Sequence, residues 1–196
     1  MWRPEFEQGP NWEFADLRKD LLSSGEGVTE LPELHYLNGD EENPLKDLCL
    51  LASYTRCGNT LSRAWLERIT GIVTGSDSNI TKMMNMHLIE EGLVGEGVCD
   101  DRIWLCKTHY GDRCGCYQFK AQRSIMLTRN PLDAIVSTFH QTASCTHDCS
   151  IADTDFDKFK DLWDEFLRSE MTVWRDFYEY WWASPIPQHI LRFEDI

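Results

Sequence analysis

The sequence predicts an α/β protein built around a mainly parallel central sheet. Short apolar runs such as LCLLAS and SIMLTR alternate along the chain with longer amphipathic stretches, which is the pattern of strands and helices in turn. Crossover helices make neighbouring strands parallel, so this alternation favours a parallel sheet. The 196 residues are enough for one domain with a sizeable core.

The individual elements follow from the apolar pattern. The predicted strands are LCLLAS, RIWLCKTH, SIMLTR and HILRF. Helices are predicted over residues 14–22, TLSRAWLERITG, residues 81–91, PLDAIVSTFHQ and residues 156–182.

Several helix boundaries carry their own signals. Gly71 is expected to end the first helix of the main domain, and Asn130 to cap the helix that begins at Pro131. Thr154 and Asp157 have the spacing of a capping box for the long helix. In that helix an aromatic and apolar stripe recurs at helical spacing, and core packing is favoured over ligand stacking by one of its tryptophans. The stripe comprises Trp163, Phe166, Leu167, Met171, Trp174, Tyr178 and Trp181.

Two segments differ in composition. Residues 1–46 are acidic and rich in turn formers, and we interpret them as a lead-in segment that forms a layer over the core. Residues 47–196 contain the alternating elements and form the main domain. No internal repeat or low-complexity tract divides them.

Charge limits the classes of partner. The chain has 19 basic and 33 acidic residues, a formal net charge of -14. This charge disfavours nucleic acid and anionic membranes as partners. Any anion site must therefore be a local basic pocket in an acidic surface.

The compartment is open to two interpretations. The chain as written has no leader and no apolar stretch of membrane-spanning length, which favours the cytoplasm. The even count of eight cysteines and the sequon at Asn79 favour an oxidising lumen, such as the Golgi, if a membrane anchor precedes the sequence.

Basic and titratable residues follow three of the predicted strands. Arg56 comes after the first strand, Lys107 and His109 end the second, and Arg129 ends the third. Ligands of parallel α/β sheets bind at the carboxyl ends of the strands, so these four side chains are expected on one edge. The turn RCGNT also has a glycine and a helix start, as phosphate-binding loops do, although no Walker A motif is present.

Together these motifs resemble the sulfotransferase family that uses 3′-phosphoadenosine 5′-phosphosulfate (PAPS) as donor. RCGNT is similar to its 5′-phosphosulfate loop, KTH to the segment with its catalytic histidine, and RNPLDAIVS to its 3′-phosphate site. The resemblance implies a three-layer, P-loop NTPase-like fold over residues 47–196. It implies cofactor-binding roles for Arg56, Cys57, Gly58, Asn59, Thr60, Arg129 and Ser137, and catalytic roles for His109, Arg56 and Lys107.

The sequence departs from the family pattern at three places. Cys57 stands where serine is common, and Leu61 stands where a tryptophan often follows the loop. The family's later glycine- and basic-rich segment does not follow FEDI, which indicates a C-terminally truncated member.

The implied reaction is sulfuryl transfer from PAPS to an acceptor hydroxyl or amine, with no metal required. His109 would act as the general base, with Arg56, Thr60 and the loop N–H groups stabilising developing charge. Lys107 would either assist or face solvent. The acceptor could be an alcohol, a carbohydrate or a protein. The alternatives are a non-catalytic nucleotide-binding or scaffold module of the same fold, and a small-molecule kinase.

Four cysteines are expected to lie near one another, away from His109. Cys114 and Cys116 precede a strand, while Cys145 and Cys149 follow the next helix. Proximity would allow disulfides in an oxidising compartment or a zinc site in a reducing one, and unpaired thiols are the alternative.

Overall fold

A computed structural model describes residues 6–8, 32–37, 48–78, 84–109, 111, 121–145 and 149–196. The predicted helix at residues 14–22, the sequon at Asn79, and both Cys114 and Cys116 lie outside these ranges. Cys145 is exposed and its thiol is free. The proximity of the two cysteine pairs therefore stays a prediction, as does the boundary at residue 46.

The central sheet has five parallel strands, which confirms the predicted α/β fold. In chain order the strands are β1 (Phe6–Gln8), β2 (Cys49–Ser53), β3 (Gly75–Ser76), β4 (Leu105–Thr108), β5 (Arg123–Thr128), β6 (Cys149–Ile151) and β7 (Gln188–Arg192). The order across the central sheet is β3-β4-β2-β5-β7, and β1 pairs with β6 in a separate antiparallel ribbon. The strands β4, β2 and β5 are thus direct neighbours, so the segments that follow them leave the sheet side by side.

Helices connect the strands. They are α1 (Asn59–Thr70), α2 (Met86–Glu90), α3 (Pro131–Ser144), α4 (Asp153–Phe156) and α5 (Lys160–Trp182), with 3₁₀ turns at Asp157–Phe159 and Phe193–Asp195. None of the helices in the described ranges is both long and apolar enough to cross a bilayer.

Two predicted helix boundaries are confirmed. Gly71 ends α1 with φ of 72°, and its N–H donates to the Glu67 carbonyl at 2.8 Å. The Oδ1 of Asn130 accepts the Leu132 N–H at 3.0 Å and caps α3. These caps satisfy backbone groups that a helix leaves unpaired at its ends.

The predicted capping box is wrong. Thr154 lies inside the short helix α4, and α5 begins at Lys160 with no side-chain cap. An ion pair between Lys158 and Asp155 stabilises the intervening turn instead. The helix predicted over residues 81–91 is also shorter among the described residues, because Asn85 accepts the His87 N–H and starts α2 at Met86.

The core lies on the central strands and the second half of α5. Every residue of β2 is buried, which matches the continuous apolar run expected of a central parallel strand. Tyr178 and Trp181 of the aromatic stripe are buried against this core, which confirms its packing role there, whereas Met171 is 39% exposed. The Tyr54 hydroxyl donates to the buried Glu170 carboxylate and joins the end of β2 to α5.

Candidate active site

The turn after β2 combines two left-handed residues with a buried anchor. Arg56 has φ of 61° and Gly58 has φ of 94°. Cys57 between them is fully buried, and its Sγ lies 3.7 Å from the Tyr178 hydroxyl. Burial raises the pKa of the Cys57 thiol to about 11. The Cys57 side chain therefore anchors the loop in the core. The group of Cys57 that could bind an anion is its backbone N–H.

The helix that follows presents its amino end to the same place. The first bond of α1 runs from the Ser62 N–H to the Gly58 carbonyl at 2.9 Å, so the N–H groups of Asn59 and Thr60 are not donated within the helix. The Asn59 Nδ2 donates to the Ser53 Oγ at 2.5 Å and fixes this start relative to β2. Left-handed residues before a helix N-terminus form an anion-binding arrangement.

Two arginines and a serine converge on this turn. The Arg129 Nη1 donates to the Arg56 carbonyl at 2.9 Å, and the Arg56 Nε donates to the Ser137 Oγ at 2.9 Å. Thr55 and Thr138 are also in contact, with their hydroxyl oxygens 3.2 Å apart. The predicted convergence of Arg56 and Arg129 at the strand ends is therefore present, and Ser137 joins them. Their roles as ligands stay a prediction.

His109 has a defined tautomer. It follows β4, and its Nδ1 lies 2.7 Å from the Ser53 carbonyl oxygen at the end of β2. A carbonyl oxygen can only accept, so Nδ1 carries the proton and Nε2 keeps its lone pair. Burial, followed by the positive charge of Lys107, lowers the pKa of His109 to about 3. The imidazole is therefore neutral at physiological pH.

Lys107 is turned into a buried ion-pair network. Its Nζ lies 4.0 Å from the Glu96 Oε1, and its side chain is only 12% exposed. The Oε2 of Glu96 lies 2.5 Å from the Nη1 of Arg63, and both of these side chains are fully buried. Burial favours a higher pKa for the Glu96 carboxyl, but the charges of Lys107 and Arg63 lower it overall. The alternative that Lys107 faces solvent is wrong, because this carboxylate holds it.

The carboxyl end of the chain contributes residues that the motifs did not single out. The Arg129 guanidinium carbon lies 4.4 Å from the centre of the Phe193 ring. The Glu194 Oε1 accepts the Asn130 N–H at 2.7 Å, and this bond lowers the pKa of the Glu194 carboxyl. Phe193 thus packs against Arg129, and Glu194 fixes the backbone of the next residue, Asn130. The run LRFED was the available signal, but its pattern does not say which strand it joins.

Comparisons with known proteins find a family model and several relatives that are similar to this chain. Residues 101–196 match the family model described as sulfotransferase domain, a range that includes Lys107, His109, Arg129 and Ser137 but not the loop at residues 56–60. No solved structure matches the chain.

Curated relatives also match, over part of their length. WSCD family member CG9164 of Drosophila melanogaster is 32% identical over 135 residues, which cover 66% of this chain and 39% of the relative. WSCD family member AAEL009094 of Aedes aegypti is 27% identical over 130 residues, covering 66% of this chain and 38% of the relative. The chain thus spans about two fifths of the length of these relatives. Residues 101–196 are therefore similar to the sulfotransferase domain family.

Proposed function

We propose that this chain is a PAPS-dependent sulfotransferase that transfers a sulfuryl group to a hydroxyl or amine of its acceptor. One relationship carries the proposal. The neutral His109, whose Nδ1 is held by the Ser53 carbonyl, leaves the sheet beside the cluster of Arg56, Arg129 and Ser137. A base and an anion-binding group thus lie at the ends of adjacent strands.

The residues present fit a nucleotide with anionic groups at two positions. The backbone N–H groups of the turn and of the start of α1 suit the 5′-phosphosulfate, with the Arg56 guanidinium beside them. Arg129 and Ser137 supply a guanidinium and a hydroxyl for the 3′-phosphate. The hydrogen bond between Arg56 and Ser137 connects the groups proposed to bind the 5′-phosphosulfate with those proposed to bind the 3′-phosphate.

The donor supplies an activated sulfuryl group when bound. His109 Nε2 accepts the proton of the acceptor hydroxyl or amine, because Nδ1 is committed to Ser53. The Arg56 guanidinium and the N–H groups of Asn59 and Thr60 stabilise negative charge at the amino end of α1. The positive charge of Lys107, which Glu96 holds in place, keeps His109 neutral before it takes the proton, and the negative charge of the bound donor would offset that charge during the transfer.

The acceptor is an alcohol, a carbohydrate or a protein. The net charge of -14 continues to disfavour nucleic acid. An uncharged or basic acceptor suits this surface best, since an acidic one would be repelled on approach.

The full chain incubated with PAPS and a panel of alcohols, amines, glycans and tyrosine peptides tests the proposal. We expect release of 3′,5′-ADP together with an acceptor whose mass rises by one sulfuryl group. His109→Ala should slow turnover by about 100-fold to 10,000-fold, the usual contribution of a general base. His189→Ala, on an exposed position of β7, is the matched control and should leave turnover unchanged.

Two results would overturn the proposal. Binding of 3′,5′-ADP without transfer to any acceptor class would favour the non-catalytic module. Equal turnover of the wild type and His109→Ala would remove the base from the mechanism.

A further inference from the structure

Two cysteines lie together close to β3, the edge strand of the central sheet, and outside the proposed nucleotide site. The Sγ atoms of Cys99 and Cys106 are 3.3 Å apart, and the Cys106 thiol donates to the Cys99 sulfur. Cys106 is buried within β4, whereas Cys99 is exposed. Neither residue belongs to a sequence motif, and the eight-residue span that they bound contains no other cysteine.

The sheet holds both cysteines in place. The Ser76 N–H donates to the Val98 carbonyl at 3.0 Å, and the Gly97 N–H donates to the Ser76 Oγ at 3.2 Å. The segment that carries Cys99 is thus fastened to β3, the neighbour of β4. Cys106 is itself opposite Gly75 of β3 in the parallel register. The closeness of the two sulfurs therefore follows from backbone pairing on both sides.

We propose that Cys99 and Cys106 form a disulfide that ties the segment containing Glu96 to β4. The two sulfurs need to approach by about 1.2 Å, to the ~2.05 Å of a disulfide bond. That change is within the reach of side-chain rotation at the exposed Cys99. The bond would hold in place the Glu96 carboxylate that pairs with Arg63 and lies beside Lys107.

The two thiols have the asymmetry that disulfide exchange requires. The hydrogen bond from Cys106 lowers the pKa of the exposed Cys99 thiol, while this same bond and burial raise the pKa of Cys106. Cys99 is therefore the attacking thiolate and Cys106 the resolving thiol.

The reaction balances with a small disulfide such as glutathione disulfide as oxidant. The Cys99 thiolate attacks one sulfur, forms a mixed disulfide and releases the first glutathione thiolate. Cys106 then loses its proton and attacks the Cys99 sulfur, which forms the internal disulfide and releases the second glutathione. The two protons from the cysteines end on the two glutathione thiols, and the two electrons reduce the oxidant.

Mass spectrometry of the full chain tests the proposal. The reduced protein is equilibrated with an oxidising glutathione mixture and quenched with acid; its free thiols are then alkylated, and it is digested. We expect a linked peptide pair containing Cys99 and Cys106, with both residues protected from alkylation. The oxidised chain should also melt about 5 °C higher than the reduced chain, since the bond constrains the unfolded state.

Single variants provide the controls. Cys99→Ser, an exposed position that tolerates the change, should abolish both the link and the melting shift. Cys145→Ser removes another exposed thiol and should change neither. The proposal would be overturned if Cys99 retained glutathione while Cys106 stayed a thiol, if Cys99 were linked to a different cysteine, or if oxidation left the melting temperature unchanged.

Discussion

The Nε of Arg56 and the Oγ of Ser137, which are 81 residues apart in the chain, lie 2.9 Å apart. This bond joins the turn after β2 to the second turn of α3, the helix that follows β5. A serine at position 137 could also be explained by a need for a small residue where helices pack. The Ser137 hydroxyl instead orients the Arg56 guanidinium at the ends of the strands. The two phosphate-binding segments of the proposed site are therefore one connected unit.

Removing the Ser137 hydroxyl should weaken nucleotide binding. Ser137→Ala deletes the acceptor that orients Arg56, a hydrogen bond to a charged group that contributes about 1.5 kcal/mol. We expect 3′,5′-ADP to bind about tenfold more weakly by calorimetry. Ser144→Ala, the same substitution at the far end of α3, should leave affinity unchanged. Equal losses in the two variants would contradict a role for the hydroxyl at 137.

The pKa of His109 makes stability depend on pH in a defined direction. The folded pKa is about 3 and the ordinary value is 6.5, so between these values the unfolded chain binds a proton that the folded chain does not. The stability that the neutral imidazole provides is complete above pH 6.5 and is lost as the pH falls towards 3.

A comparison with His109→Gln isolates this effect from the protonation of carboxylates. As the pH is lowered from 7.5 to 5, the free energy of unfolding of the wild type should fall relative to that of this variant by up to about 2 kcal/mol. Below pH 6.5 the expected slope is about 1.4 kcal/mol per pH unit. Urea unfolding at the two pH values measures it. A difference that is independent of pH would mean that His109 titrates normally in the fold.

Gly58 should tolerate no larger residue, for two separable reasons. Its φ is +94°, and an added Cβ would lie 2.5 Å from the Cδ2 of Phe193. Gly92 also has a positive φ, +104°, but an added Cβ there meets nothing within 4 Å. We expect Gly92→Ala to cost about 1 kcal/mol of unfolding free energy from backbone strain alone, and Gly58→Ala to cost clearly more.

The excess at Gly58 should depend on the Phe193 ring. In a Phe193→Ala background, Gly58→Ala should cost no more than Gly92→Ala, because the ring that it strikes is gone. If Gly58→Ala still cost more unfolding free energy than Gly92→Ala in that background, the steric conflict would not be with the Phe193 ring. Urea unfolding of the five chains completes this comparison: the wild type, Gly58→Ala, Gly92→Ala, Phe193→Ala, and Gly58→Ala combined with Phe193→Ala.

Glu96→Gln should destabilise the fold strongly. The substitution leaves the fully buried Arg63 guanidinium without its carboxylate, and breaking a buried ion pair from one side costs about 3–5 kcal/mol. Glu90→Gln removes a carboxylate that is 76% exposed on α2 and should cost no more than about 0.5 kcal/mol. Similar unfolding free energies for the two variants would show that the buried pair contributes little.

The sequence could predict that the site lies at the carboxyl ends of the strands, but not which residues contact and position the side chains of the site. Arg56, His109 and Arg129 follow three strands, and parallel pairing alone brings the ends of those strands together. The contact between Lys107 and Glu96 depends on the path of the segment before β4, which no local pattern reveals. The position of Phe193 under Arg129 likewise depends on β7 pairing beside β5, a choice of sheet order that neither strand encodes by itself.

Calorimetric titration of the full chain with 3′,5′-ADP and with ATP tests the central claim most directly. We expect 3′,5′-ADP to bind and ATP to bind far more weakly. Arg129→Ala should reduce the affinity for 3′,5′-ADP by about 10-fold to 100-fold through the lost phosphate contact. Arg123→Ala, at the opposite end of the same strand, should leave it unchanged. Tighter binding of ATP than of 3′,5′-ADP, or an affinity for 3′,5′-ADP that Arg129→Ala leaves unchanged, would contradict the account.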